Sequence, residues 1–261
     1  MTDIPFFITP PHRCSYLPDQ MARMVFVDPS HPVEGDLLST LSRQGFRRSG
    51  DFVYRPECRN CRQCLSARIP VQLFQPNDSQ KRALRQNRDL RQVVRPLHQV
   101  TEQHYPLYER YICTRHADGD MYPPDRDQFE KFLLESCAQT VFLEYWLGEQ
   151  LVAVSTCDVL DDGLSAVYTF FDPDLPRRSL GTFCILKQIE WVQQQGLDYL
   201  YLGYWVPGSE KMRYKAQFAP FEILMNGGWL RLQQKPSRTM VEHLIHTLSR
   251  PETIQDYRKL R

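Results

Sequence analysis

From residue 140 onward the apolar positions come in three runs, TVFLEYWL, QLVAVSTCDVL and LSAVYTFF, broken by Gly148-Glu149 and by Asp161-Asp162-Gly163. Apolar runs of this length bounded by turn residues predict strands, and turns this short predict two hairpins in series. The period then changes. In RRSLGTFCILKQIEWVQQQG, the residues Phe183, Leu186, Ile189, Glu190 and Val192 follow a helical spacing with Gly196 as the stop, and LDYLYLGYWV returns to a strand. Upstream, Phe129, Phe132, Leu133 and Ser136 predict a helix from about Asp125 to Cys137. A meander, then a helix, then a strand makes an α+β layered domain.

Before this domain, KRALRQNRDLRQVVR reads as one amphipathic helix. At ~100° per residue, Lys81, Arg85, Arg88, Arg91 and Arg95 share one face, and Ala83, Leu90, Val93 and Val94 lie opposite. Only Asp89 offsets six cations, so the usual i,i+4 ion pairs are missing; a nucleic-acid face and a merely solvated face are both open readings. The whole chain of 261 residues carries a net charge of +1, but its halves differ. Residues 1 to 100 hold 15 Lys+Arg against 9 Asp+Glu, and the remainder hold 17 against 22. The basic half is a candidate polyanion surface.

The residue before Pro96 is pushed out of helical backbone, which sets an expected division there. The expected layout is an N-terminal domain over 1–96, a second domain over 97–235 and a tail over 236–261, with His243 and His246 on a surface helix. No stretch approaches the ~20 apolar residues that span a bilayer, and the N-terminus lacks the pattern of a secretory signal, so a cytoplasmic protein without a membrane partner is expected. In a reducing compartment the eight cysteines do not form a disulfide framework. Cys58, Cys61 and Cys64 in YRPECRNCRQC read as metal ligands, as a reactive thiol site, or as reduced cysteines lying close together. Cys113, Cys137, Cys157 and Cys184 sit among apolar neighbours and read as core filling.

The element order of the second domain is similar to that of the GCN5-related N-acyltransferases. In that family a loop before a helix cradles pyrophosphate; the loop here, Arg177 to Thr182, has two arginines and Gly181 but Phe183 in place of a second small residue, so a phosphate site and a structural loop are both open readings. Three separated blocks carry a closer likeness: RCSYLP at Arg13 to Pro18, YRPECRNCRQC at Tyr54 to Cys64, and YWVPGSEKMRYKAQFAPFEILMNGGW at Tyr204 to Trp229. Together they resemble the aminoacyl-tRNA-protein transferases that extend acidic N-termini, and within them the short bacterial branch. The resemblance implies an acyltransferase-like layered domain with a mixed sheet, preceded by a smaller cysteine-containing domain. It implies leucyl-tRNA as donor and proteins with N-terminal Asp or Glu as acceptors, marked thereby for degradation, with no role for DNA. It makes tRNA the partner of Lys81, Arg85, Arg88, Arg91, Arg95, Arg177 and Arg178. Cys14 with Cys58, Cys61 and Cys64 would then hold a zinc ion or an iron–sulfur centre.

The chemistry implied is aminolysis of an activated ester, which needs no cofactor and no covalent cysteine. Tyr204, Glu210 and Tyr214 are the nearest candidates for proton transfer. Lys211, Arg213 and Lys215 alternate about Met212 and Tyr214; on a strand they would share one face, either a solvated edge or a site for the acceptor carboxylate. Arg213 is the first choice for that carboxylate because its planar fork suits a bidentate pair. Two rivals remain: a coenzyme A-dependent N-acetyltransferase, and a non-catalytic RNA-binding module with a metal knuckle.

Overall fold

The computed structural model describes residues 4–249, which gather into two compact units. One takes residues 4–48, 52–74 and 201–249; the other takes 49–51 and 75–200. The compact units therefore do not part at residue 96. Residues far apart in the sequence, before 75 and after 200, form one body.

The first unit opens with β1 (Phe6–Ile8), the short strands β2 (His12–Arg13) and β3 (Met21–Ala22), and β4 (Met24–Val27). Helix α1 (Gly35–Arg43) follows, burying Leu38 and Leu41, and then come β5 (Arg47–Ser49), β6 (Phe52–Pro56) and β7 (Leu65–Pro70). A four-stranded sheet runs in the order β1-β4-β6-β5, with Phe7 opposite Phe26 and Phe26 opposite Tyr54. Because side chains alternate along a strand, Val25, Val27 and Val53 are buried on one face while Phe7, Phe26 and Tyr54 line up on the other.

The second unit begins at α2 (Asp78–Gln86), started by a capping box in which Asn77 Oδ1 accepts from Gln80 N at 3.0 Å and Gln80 Oε1 accepts from Asn77 N at 2.9 Å. The expected helix over 81–95 stops here. Asn87 is buried, and its side-chain amide donates to Ala83 O at 2.8 Å and to Arg178 O at 2.7 Å, so the turn is fixed by a partner 91 residues away. The chain then forms β8 (Arg91–Pro96), where β-branched Val93 and Val94 suit a strand, pairing with β9. Arg91 and Arg95 consequently leave the face shared by Lys81 and Arg85.

Helix α3 (His104–Arg115) precedes α4 (Arg126–Phe129), capped by Asp125 and widened into a π-turn over Glu130–Leu134. The helix expected to reach Cys137 thus ends earlier. Strands β9 (Gln139–Leu147), β10 (Gln150–Val159) and β11 (Gly163–Phe171) form the two hairpins read from the sequence, and with β8 give the order β11-β10-β9-β8, all antiparallel. Tyr108, Ile112, Phe129, Leu133, Phe142, Val154 and Phe170 make its main core, each large side chain worth roughly 1.5–3 kcal/mol of transfer free energy. Helix α5 (Leu180–Gln194) buries Phe183, Leu186, Ile189 and Val192, as its period predicted, together with Cys184, but Glu190 is only part-buried and pairs with Lys187. Cys157 and Cys184 are core residues, but Cys113 is exposed on α3 and Cys137 is only part-buried, so neither fills the core.

The chain returns to the first unit through β12 (Tyr199–Trp205), then β13 (Phe221–Met225), β14 (Gly228–Leu232) and α6 (Arg238–Leu248). There β13 pairs antiparallel with both β7 and β14. The pairing is fixed by a buried ion pair: Arg68 Nε donates to Glu222 Oε2 at 2.8 Å, its guanidinium also reaches Tyr201 Oη at 3.1 Å, and it lies 4.1 Å from the Trp229 ring. The α+β class and the meander–helix–strand order are those expected. Residues 211–215 do not form a strand: Glu210–Gln217 is a run of tight 3-10 turns. Helix α6 exposes His243 and His246 but buries Leu244 and Leu248, and the rest of the expected tail lies outside the described residues. No helix among the described residues is long and apolar enough to cross a membrane.

Candidate functional site

In the first unit the three separated sequence blocks meet. Tyr16 comes from the first block, Tyr54, Gln63 and Cys64 from the second, and Tyr204, Gly208 and Lys215 from the third. Gln63 holds two of them together, its Oε1 accepting from Gly208 N at 3.2 Å and its Nε2 donating to Ser249 Oγ at 3.1 Å. At Gly208 a Cβ would fall 2.9 Å from that Oε1 and 3.1 Å from Leu17, so a larger residue would push the blocks apart.

At the centre, Tyr204 Oη donates to Gly45 O at 2.9 Å, and the Tyr204 and Tyr54 rings meet edge to face at 6.4 Å. Gly45 has φ +90°, and its carbonyl can be presented this way because a left-handed backbone costs glycine little. Lys215 Nζ donates to Tyr204 O at 2.6 Å and is buried. Burial disfavours its ammonium, Arg47 adds repulsion and Cys64 opposes only in part, so its pKa falls to about 7. The guanidinium of Arg47 rests against Gly203, where a Cβ would come within 3.2 Å of it. Burial raises the phenols of Tyr16, Tyr54 and Tyr204, and Arg47 pulls all three back.

The four N-terminal cysteines converge beside this centre. Cys14 and Leu17 pack on Cys58, Cys61 and Ala22, and burial, reinforced by the neighbouring cysteines, keeps Cys58, Cys61 and Cys64 as thiols. A cavity of about 100 Å³ lies next to them, lined by Gly45, Arg55, Cys58, Cys61, Tyr204 and Asn226 among others. The donor set has the chemistry of a zinc or iron–sulfur site. Among the described residues, however, no three or more His, Cys, Asp or Glu side chains are arranged to hold a metal ion.

Several expected site residues stand elsewhere. Tyr204 spends its hydroxyl on Gly45 and its raised pKa makes it a donor, not a base. Glu210 and Arg213 are exposed and paired with each other, and Tyr214 and Lys211 are exposed as well. Lys215, expected beside Lys211 and Arg213 on one face, is buried among the tyrosines because the 3-10 turns rotate it inward. In the second unit Lys81, Arg85 and Arg88 are exposed together with Arg177. Arg178 is held by Asp89 through two hydrogen bonds of 2.8 Å, and Arg95 serves a buried carboxylate, its Nε 2.7 Å from Glu144 Oε1. Arg91 lies over the Trp146 ring at 5.6 Å. Sequence reasoning missed Arg47, which lies outside all three blocks. Its one signal was the position next to Gly45-Phe46 at the start of a strand.

A family description, "Arginine-tRNA-protein transferase, N terminus", matches residues 12–82, and its companion, "Arginine-tRNA-protein transferase, C terminus", matches residues 103–225. The chain belongs to this aminoacyl-tRNA-protein transferase family. Its relatives include the aspartate/glutamate leucyltransferase of Acinetobacter baylyi, 59% identical over 95% of this chain and 92% of that protein. Another, from Pseudomonas putida, bears the same name and is 51% identical over 87% of this chain and 96% of its own length. Among solved structures, the chain is similar to the C-terminal domain of a putative lysylphosphatidylglycerol synthetase from Agrobacterium fabrum, at 15% identity and a TM-score of 0.42 over 64% of this chain and 50% of that one. It is also similar to L-PGS from Bacillus licheniformis, at 13% identity and a TM-score of 0.44 over 72% of this chain and 66% of that one.

Proposed function

We propose that this chain transfers leucine from leucyl-tRNA to the N-terminal Asp or Glu of acceptor proteins in the cytoplasm, marking them for degradation by the N-degron (N-end rule) route. The observation that carries the reading is the 59% identity to an aspartate/glutamate leucyltransferase over 95% of the chain. The meeting of the three sequence blocks around one cationic, tyrosine-lined centre supports it.

In the reaction, the neutral α-amine of the acceptor attacks the ester carbonyl of the aminoacyl-tRNA. An amide C–N bond forms, the bond to the ribose oxygen breaks, and the proton lost by the amine replaces the acyl group on that oxygen. Positioning the two reactants supplies most of the acceleration. Negative charge develops on the carbonyl oxygen, and both substrates are already anionic, so fixed cations are required where they meet. Arg47, backed by Gly203, and Lys215 provide them in this unit. Lys215, titrating near neutrality, is also the group of this centre able to exchange a proton at physiological pH.

The test is incubation with an unfractionated aminoacyl-tRNA pool and peptides beginning with Asp, Glu or Asn, read by mass spectrometry. One leucine is expected on the Asp and Glu peptides and none on the Asn peptide. Transfer of a different residue would change the donor, and no transfer would overturn the reading.

A further inference from the structure

The four-stranded sheet of the first unit carries an aromatic row that leads to Tyr54 of the centre described above from the outer strand. Phe7 on β1, the outermost strand, stacks on Phe26 with ring centroids 5.3 Å apart and planes 8° from parallel. Phe26 meets Tyr54 at 5.6 Å and Phe52 edge to face at 6.0 Å. The outer members are open to solvent, Phe7 by 41% and Phe52 by 49%. On a protein of this size, large aromatic side chains left exposed side by side on one sheet face indicate something that covers them. At its inner end the row reaches a cation: Arg47 acts on the Tyr54 phenol, and beyond Tyr54 lie Tyr204 and Lys215.

We infer that this row is a stacking platform for the unpaired bases at the 3′ end of the donor RNA, delivering the esterified terminus to Arg47. The inference rests on the transferase reading above and names the part of the site that takes the RNA end. Three features select this occupant. Every base has a flat π-face that stacks on an exposed ring whatever the sequence, which suits an enzyme that must accept a single-stranded end. A cation at the inner end complements the phosphate that follows each base. The row also runs across strands, from the outermost strand to the centre, whereas a peptide added to a sheet runs along them.

The test compares unfractionated tRNA with the same tRNA lacking its unpaired 3′ end, by fluorescence anisotropy, on the wild type and on Phe7→Ala/Phe52→Ala. Both rings are exposed, so the fold should persist, and Phe7→Tyr/Phe52→Tyr keeps the stacking surface as a rescue. The wild type should prefer intact tRNA. The alanine pair should lose about fivefold or more of that preference per ring and the tyrosine pair should retain it. The inference is overturned if the alanine pair keeps the full preference, or if the wild type shows none. It is also overturned if the pair leaves RNA binding intact and instead raises the KM for the Asp peptide, or abolishes a dimer seen by light scattering. Leucine transfer by the wild type, measured alongside, separates the two readings. Transfer with a ring-independent preference defeats the platform alone. A ring-dependent preference without transfer defeats the transferase reading and leaves the platform standing.

Discussion

Each unit buries charge, and the two do so in opposite ways. In the second unit Glu144 is fully buried, yet Arg95 Nε stands 2.7 Å from its Oε1, His104 Nε2 3.2 Å from the same oxygen, and Trp146 Nε1 donates to Oε2 at 2.8 Å. Burial alone would raise its pKa, but the hydrogen bonds from His104, Arg95 and Trp146 outweigh it and hold the carboxylate below its usual range. In the first unit the charges acting on buried Lys215 are Arg47, of the same sign, and Cys64, a thiol. Compensated charge locks β8 and the start of α3 to β9. Burial and the like charge of Arg47 disfavour the Lys215 ammonium, the kind of perturbation that clusters where a substrate is bound.

The largest expected effect breaks the compensated side. Glu144→Leu would leave Arg95 and His104 facing an apolar side chain, and should cost about 3–5 kcal/mol in denaturant unfolding. A loss under about 1 kcal/mol would show that the two cations find water instead.

In the first unit, Arg47→Gln should leave unfolding almost unchanged while lowering kcat/KM for leucine transfer by about 100-fold, the scale of removing one oxyanion-type donor. Equal losses of stability and activity would make Arg47 a packing residue.

Lys215→Met tests the same idea through pH. The folded pKa of about 7 lies below the ordinary 10.5, so across that window the unfolded chain binds the extra proton and the wild type gains stability as pH rises. Relative to the variant, the wild type should therefore gain roughly 1 kcal/mol per pH unit from pH 7 to about 10, with no further change below pH 7. Parallel slopes for the two proteins would place the lysine's proton affinity in the ordinary range.

What the sequence revealed follows the same division. The strands and helix of the second unit were legible because each is a local period closed by local turn residues, as at Gly148 and Gly196. The helix over 81–95 was misread because its stop, Asn87, is fixed by Arg178 O, a partner no local pattern announces. Arg95 looked like an open cation because Glu144, its partner, lies on another strand 49 residues on. In the first unit the blocks were legible as a resemblance, but Lys215 was placed on the wrong face because a strand was assumed where 3-10 turns form. Met212, Tyr214, Ala216 and Phe218 alternate with polar residues as in a strand, but the segment lies between Pro207-Gly208 and Ala219-Pro220 and closes into 3-10 turns instead.

A smaller effect is expected on α2. Replacing Arg85 and Arg88 by Gln should weaken tRNA binding and reduce its salt slope by up to about 0.7 to 0.9 for each phosphate no longer neutralised, with the fold intact. An unchanged slope would make this face of the second unit a solvated surface, and would leave the cations of the first unit as the source of RNA affinity.

The smallest effect should come from Arg213, the residue that fork geometry first recommended for the acceptor carboxylate. Its guanidinium is 63% exposed and paired with Glu210, itself 74% exposed. An exposed pair at i,i+3 contributes about 0 to 1 kcal/mol, because water screens it and two long side chains lose freedom to form it. A cation that already has a carboxylate and stands in water also has little to offer an arriving substrate, since exchanging one carboxylate for another gains almost nothing. Arg213→Gln should therefore change kcat/KM for Asp peptides by less than about threefold and leave the preference for Asp over Asn intact, while Arg47→Gln depresses transfer. If Arg213→Gln instead abolishes the preference, Glu210 must release it when substrate binds, and acceptor recognition would belong to an exposed ion pair that opens rather than to Arg47 and Lys215.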